Sequence, residues 1–212
     1  AKVIQVEADE KIGGTLFMSA GQISAAGTKI QSRLGILDSA EDHYIDAQRI
    51  SENTIDPMLG KLAIDNAAST YDWLEEIGFK PIQGHPVAAG AHEPYLTRRY
   101  HWAENAAVGI LDVLKPIHSD LASEKKIDLK LNTRMTKLLT DDSENVIGIE
   151  VQSPEGTEKI FGKNIVLTSG GYAHNENMWK EFTPDIPLRA WANEFSRGDG
   201  IKAAQNIGGL ID

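Results

Sequence analysis

The residues best placed to do chemistry together stand near the start of the chain. Val3-Ile4-Gln5-Val6-Glu7 is a short apolar run that ends on a carboxylate. Ile12-Gly13-Gly14-Thr15 and Ser19-Ala20-Gly21 follow within a few residues. In a doubly wound α/β domain, an acid closing the second strand accepts hydrogen bonds from a ribose. Glycines let backbone N–H groups approach a phosphate or a flat ring, because no Cβ intervenes. The first two dozen residues therefore read as one wall of a dinucleotide site. The other wall, a strand with a G-x-G-x-x-G turn, belongs about 20 residues before the acid. Glu7 stands too near the start for that, and no such fingerprint occurs later.

The elements that must position this wall can be read in order. Ala1 to Val6 is expected as a buried parallel strand. Gly13 to Gly27 is rich in Gly, Ala, Ser and Thr, which suits backbone packed on a ligand. Its embedded Leu16, Phe17, Met18 and Ile23 argue against a solvated loop. Asp38-Ser39 before Glu41 signals a helix start, with the helix running to about Ile50. Leu59, Leu62, Ala63, Ala67, Tyr71 and Leu74 recur at helical spacing within Thr54 to Ile77, and Gly78 suits the C-terminal cap. Phe79 to Tyr100 is irregular and carries His85, His92, Arg98 and Arg99, a length of loop that is more often functional than idle. Glu104 to Ser123 reads as a strong helix, with Ala107, Ile110, Leu111, Leu114 and Ile117 on one face.

Strands follow at Ile127 to Leu131, Arg134 to Leu139 and Val146 to Val151. A turn at Ser153-Pro154-Glu155-Gly156-Thr157 sends Glu158 to Phe161 back to pair. Asn164 to Thr168 reads as an apolar strand entering Ser169-Gly170-Gly171-Tyr172. Helices are expected over about Asn175 to Phe182, and from Gly198-Asp199-Gly200 through Asn206. No internal repeat, low-complexity tract or clear linker interrupts this order.

Composition sets bounds. The formal charge of −10 disfavours nucleic acid and anionic membrane as partners. Cysteine is absent, which removes disulfides, iron–sulfur ligation and a thiol nucleophile from this stretch. That fits the cytoplasm and leaves the periplasm open. No run approaches the ~18 apolar residues of a membrane span.

A β-start, helices, a small antiparallel meander and then a strand with a glycine turn is the layout of a two-dinucleotide-binding-domain flavoprotein. The chain resembles the FAD-binding domain of the fumarate reductase/succinate dehydrogenase flavoprotein family, especially its soluble, flavocytochrome-c-like branch. That family includes fumarate and urocanate reductases and 3-ketosteroid dehydrogenases. The resemblance is carried by VEADEKIGGTLFMSAGQISAAGT at 6–28, IDLKLNTRMTKLL at 127–139, NIVLTSGGYAHNENM at 164–178 and RGDGIKAAQNIGGLID at 197–212. The fold class it implies is α/β, an FAD/NAD(P)-binding Rossmann-like domain with a small antiparallel β-meander, truncated at the N-terminal fingerprint strand. On this reading residues 1–212 are a partial FAD-binding domain of a longer flavoprotein. The capping domain and the C-terminal return, which carry the proton donor and substrate clamp, would lie outside, so the piece alone is expected to be inactive.

The resemblance also implies roles. Glu7 would bind the adenosine ribose. Gly13, Gly14, Thr15 and Leu16 would lie along the pyrophosphate and ribityl chain. Ala20, Gly21 and Gln22 would face the isoalloxazine, with Gly21 also near a substrate carboxylate. Met135 would meet the adenine edge, and Thr168, Ser169 and Gly170 would lie near the adenosine. Asp199 would bond the ribityl or phosphate region. His101 is the expected substrate neighbour among the histidines, although the glycines that related reductases place after it are replaced by Trp102-Ala103-Glu104-Asn105-Ala106.

Membrane-bound members bond flavin covalently to a histidine near the position of Phe17. No histidine lies between residues 1 and 42, so FAD is expected to be non-covalent, and no metal is expected. The implied reaction moves hydride between FAD and an activated C=C bond, in a dicarboxylate or other enoate. The rival within the family is a 3-ketosteroid dehydrogenase, which the Gly27-Thr28…Gln31…Gly35-Ile36…Asp38-Ser39…Glu41 run also resembles. The rival outside it is an interaction module that binds no flavin. Expected partners are a small-molecule substrate and the remainder of the parent chain.

Overall fold

In the computed structural model, residues 2–88, 94–187 and 192–211 are described. The chain forms two compact units, one of residues 1–18 and 118–212, the other of residues 19–117.

The first unit begins with β1 (Val3–Val6), which pairs in parallel with β4 (Ile127–Lys130), Val3 opposite Ile127 and Val6 opposite Lys130. The parallel pairing matches expectation, but the burial does not. Val3 and Ile4 keep 46% and 44% of their surface, because among the described residues β4 is the one strand bonded to β1. A 3-10 turn, Gly14–Met18, follows.

The meander is built from β5 (Arg134–Thr140), β6 (Val146–Ser153) and β7 (Gly156–Phe161), antiparallel in that order. Ile149, Val151 and Ile160 form its packed face, joined by Val6, Met135, Leu138 and Ile165. Alternation puts Ile149 and Val151 on one side of β6, and a register shift between Met135 and Lys137 lets Met135 and Leu138 of β5 share that side. Asn164 to Thr168 corrects the sequence reading. Its apolar content suggests a strand, yet the segment has no ladder partner among the described residues, and Val166 is 80% exposed. After it come α5 (Glu176–Phe182), capped by the Asn175 side chain, and α6 (Asp199–Gln205), which packs on β5.

The second unit contains β2 (Ile23–Ser24), paired antiparallel with β3 (Tyr100–His101). Its helices are α1 (Lys29–Arg33), α2 (Ala40–Ile50), α3 (Pro57–Glu76) and the first half of α4 (Val108–Ser123). Capping places them. Thr28 and Gln31 form a reciprocal capping box on α1, Ser39 accepts from Asp42 N–H on α2, and Asp56 accepts from Leu59 N–H before Pro57 on α3.

The core is Ala25, Tyr71, Leu74, Phe79 and Ala103, covered by Ile23, Ala67, Ile110 and Leu114 among others. The first half of α3 departs from its apolar pattern. Leu59 and Leu62 are about three-fifths exposed, and the buried line runs through Ile64, Tyr71 and Leu74 instead. The α4 helix starts four residues later than its periodicity suggests, after a turn in which Ala106 adopts φ 56°.

Candidate functional site

Four stretches of the first unit meet at one cleft of about 520 Å³. Its wall includes Glu7, Gly13, Gly14, Thr15 and Leu16 from the β1 turn. Met135 comes from β5, and Thr168, Ser169 and Gly170 come from the extended segment. Asp199 completes this set from the start of α6.

Each is fixed by local bonds. The Glu7 backbone is held on both sides, its N–H donating to Lys130 O at 2.9 Å and its carbonyl accepting from Thr133 N–H at 2.8 Å. Its carboxylate Oε1 accepts from Asp9 N–H at 2.9 Å, so Glu7 is set in place at the end of β1. The Thr15 hydroxyl lies 3.4 Å from that of Ser196. Ser169 Oγ accepts from Gly200 N–H at 3.2 Å, which ties the Thr168–Gly170 turn to α6.

The glycines keep this wall open. Gly14 and Gly170 adopt φ 47° and 74°, where a side chain is strained. A Cβ at Gly14 would meet no protein atom within 4 Å, and one at Gly170 would approach only Ser196 Oγ, at 3.9 Å. Backbone is thus presented bare to open space, which is the surface a close-lying ligand needs. At Gly13 the constraint is internal: a Cβ would stand 2.5 Å from the Phe17 ring.

The lining is mixed, with Val6, Leu16, Met135, Ile149, Ile165 and Phe195 among hydroxyl, amide and carboxylate groups. Apolar walls with a few placed polar groups suit a flat, partly polar organic ligand. Thr133, Asn193, Phe195 and Ser196 also line the cleft and escaped the sequence reading. Thr133 lies within the 127–139 motif and the other three just before the 197–212 motif, so only proximity to the residues singled out there could have flagged them.

The remaining expected residues lie in the second unit. Ala20 and Gln22 are exposed, while Gly21 is buried at φ 67° with its N–H donating to Ser19 Oγ at 3.0 Å. A Cβ at Gly21 would strike Ala107 Cα at 2.4 Å, so this glycine is required by packing. His101 is completely buried. Its ring stacks on Tyr71 with centroids 4.0 Å apart, and Nδ1 is 3.3 Å from Ile23 O. Nε2 has no hydrogen-bond partner, and burial pushes the imidazole pKa down to about 4. His92 lies outside the described residues.

The same unit seals a charged cluster that the sequence did not announce. Arg99 donates to both oxygens of Asp38, at 2.8 and 2.7 Å, and to Asp46 at 2.5 Å. All three side chains are at most 2% exposed. Asp46 also accepts from Arg49 and from Leu96 N–H, and Asp38 from Gln31. The neighbouring His43 is 3.0 Å from Ser24 Oγ. Burial, seconded by the Arg99 charge, lowers its pKa to about 4.

With this geometry established, the sequence matches the FAD binding domain family along residues 1–212. The chain belongs to that family. It is 31% identical to a probable fumarate reductase, Ifc3, of Shewanella frigidimarina, over 98% of this chain and 35% of the relative. It superposes on the open conformation of a flavocytochrome c3 fumarate reductase with a TM-score of 0.84 at 30% identity, covering 97% of this chain and 36% of that one.

It also superposes on 3-ketosteroid-delta4-(5alpha)-dehydrogenase from Rhodococcus jostii RHA1. There the TM-score is 0.78 at 21% identity, over 97% and 48% of the two chains, a likeness of fold. The chain spans about a third of the length of the curated relatives it matches. It is an FAD-binding domain similar in sequence and fold to the matching part of fumarate reductase flavoproteins. Among the described residues, no helix is long and apolar enough to cross a membrane, and no cluster of ligating side chains could hold a metal.

Proposed function

We propose that the cleft of the first unit holds FAD and that the whole protein is an oxidoreductase acting on an activated C=C bond. The observation that carries this reading is convergence. Glu7, Gly13, Gly14, Thr15, Leu16, Met135, Thr168, Ser169, Gly170 and Asp199 come from widely separated segments and line one cleft.

The residues suit the cofactor. Glu7 and Asp199 offer carboxylate oxygens to hydroxyl groups. Gly14 and Gly170 leave room where a side chain would otherwise stand. Met135 and the apolar wall pack against a flat ring. FAD, when bound, supplies the hydride chemistry, and the protein supplies position and electrostatics. Attachment is non-covalent in this reading, because no histidine lies between residues 1 and 42, the stretch in which covalent members carry theirs near the position of Phe17.

Ala20, Gly21 and Gln22 form the proposed flavin-ring turn. Gly21 reaches that role through its backbone alone, and its N–H must leave Ser19 Oγ to make a new bond. The substrate-side part of His101 is indirect: with no exposed atom, it supports the β2–β3 pair beside Ile23. A fumarate-type substrate is preferred to a ketosteroid, since the 31% identity is to a probable fumarate reductase. The ketosteroid dehydrogenase likeness, at 21%, speaks to fold.

The test has two stages. The purified 212-residue chain, mixed with FAD and desalted, should retain a yellow chromophore, and acid precipitation should release it into the supernatant. Protein that stays colourless and does not quench added flavin would overturn the cofactor reading. The full-length protein should then oxidise a reduced viologen with fumarate and leave a 3-ketosteroid unchanged. The reverse preference would favour the dehydrogenase.

A further inference from the structure

One carboxylate on the cleft wall is already half engaged. Asp199 Oδ2 accepts from Arg134 Nη1, while among the described residues no donor reaches Oδ1. The Arg134 guanidinium lies 5.7 Å from the centre of the Phe195 ring, so it is held from two sides. Phe195 and Asp199 both line the cleft. Arg134 opens β5 and Asp199 opens α6, and these two elements pack together.

Among the described residues, the ionisable side chains of the lining are Glu7 and Asp199. Both are acids, and among the described residues no lysine or arginine lines the cleft. A nucleotide with a diphosphate is itself anionic. Two uncompensated carboxylates would repel it through walls of low polarizability, where charges act over several ångströms.

We propose that Arg134 is a positioning residue for Asp199: it holds one oxygen and cancels the charge, leaving the other oxygen to accept from a cofactor hydroxyl. This rests on the reading of the cleft as an FAD site. Arg134 acts through Asp199 and needs no contact with the cofactor. The arrangement lets an acid bind a polyol without excluding the phosphates attached to it.

A double-mutant cycle tests this, with FAD dissociation constants measured by quenching of flavin fluorescence on the full chain. Arg134→Gln should weaken FAD by roughly tenfold, the scale of one uncompensated charge near a partly exposed site. In an Asp199→Asn background, where no charge remains to cancel, the same substitution should cost about twofold or less. Arg134→Lys should restore most of the affinity, because the positive charge returns.

An equal loss from Arg134→Gln in both backgrounds would mean a direct contact or a damaged fold, and would overturn the proposal. So would no loss in either. Wild-type chain that takes up no FAD would overturn the cofactor reading itself. Wild-type binding with an uncoupled cycle would leave that reading standing and remove only the role of Arg134.

Discussion

The two units treat their charged groups in opposite ways. In the unit of residues 19–117, Arg99, Asp38 and Asp46 are sealed from water, and every oxygen and nitrogen that bonds among them has a protein partner. In the unit that carries the cleft, Arg134 and Asp199 keep 28% and 26% of their side-chain surface, and Asp199 has an oxygen to spare. A closed network gives shape, since its members have nothing left to offer a ligand. An open pair gives recognition, since part of its bonding capacity faces a cleft. The same residue types therefore serve architecture in one place and binding in the other, and burial with bond count separates the two.

The sharpest way to break this comparison is to remove one member of each pair. Arg99→Met leaves Asp38 buried without its cation and Asp46 with Arg49 alone. It should cost on the order of 3–5 kcal/mol of unfolding free energy, read by urea denaturation. Arg134→Gln removes a partly exposed partner and should cost about 1 kcal/mol or less. If the two losses came out equal, the distinction between sealed and open would not hold.

A pH titration sharpens it next. Burial holds both His43 and His101 near a pKa of about 4, below the ordinary 6.5. Between those values the unfolded chain takes up protons that the folded chain refuses. Stability is then fully present above pH 6.5, falls as the pH drops toward 4, and levels off below that. Each histidine should contribute a loss of up to roughly 3 kcal/mol. In His101→Asn, whatever its stability at pH 7.5, the difference between pH 7.5 and 4.5 should shrink. An unchanged slope would place the acid sensitivity elsewhere.

Much of this was legible in the sequence, for reasons that differ by element. Ser39, Asp56 and Asn175 announce helix starts because a cap is a bond across three residues. The meander follows from alternation and a turn at residues 153–157, again local signals. The cleft wall was readable because the motifs at Glu7, Gly13–Leu16, Thr168–Gly170 and Asp199 keep the spacing of a family.

What escaped is non-local. Arg99 finds Asp38 and Asp46 across 61 and 53 residues, and Arg134 finds Asp199 across 65. No spacing rule links residues so far apart. Asn164–Thr168 failed in the other direction: its apolar residues suit a strand, but a strand also needs a neighbour. Leu59 and Leu62 show the same limit on α3, since helical periodicity marks an apolar stripe without saying what covers it.

Glu7 tests the binding side of the comparison at intermediate scale. Its backbone is pinned by Lys130 and Thr133, so Glu7→Gln keeps shape and removes charge. A charge-assisted bond to a ribose hydroxyl is worth about 1.5–3 kcal/mol, so FAD should bind roughly tenfold or more weakly. Isothermal titration with FAD would read this. Unchanged affinity would remove Glu7 from the binding wall.

A small effect is expected at Thr28, which is buried and caps α1. Its hydroxyl accepts from Gln31 N–H, and Gln31 Oε1 in return accepts from Gly27 and Thr28 N–H. Gln31 Nε2 then donates to Asp38, the acid clasped by Arg99. Thr28→Ala deletes one cap and should cost about 1 kcal/mol, measured as a shift in the urea midpoint. Because Gln31 joins the cap to the sealed network, the loss should be smaller in an Arg99→Met background, where that network has already opened. Full additivity would show that the cap and the clasp act separately, and that the closed unit is a set of independent bonds rather than one connected frame.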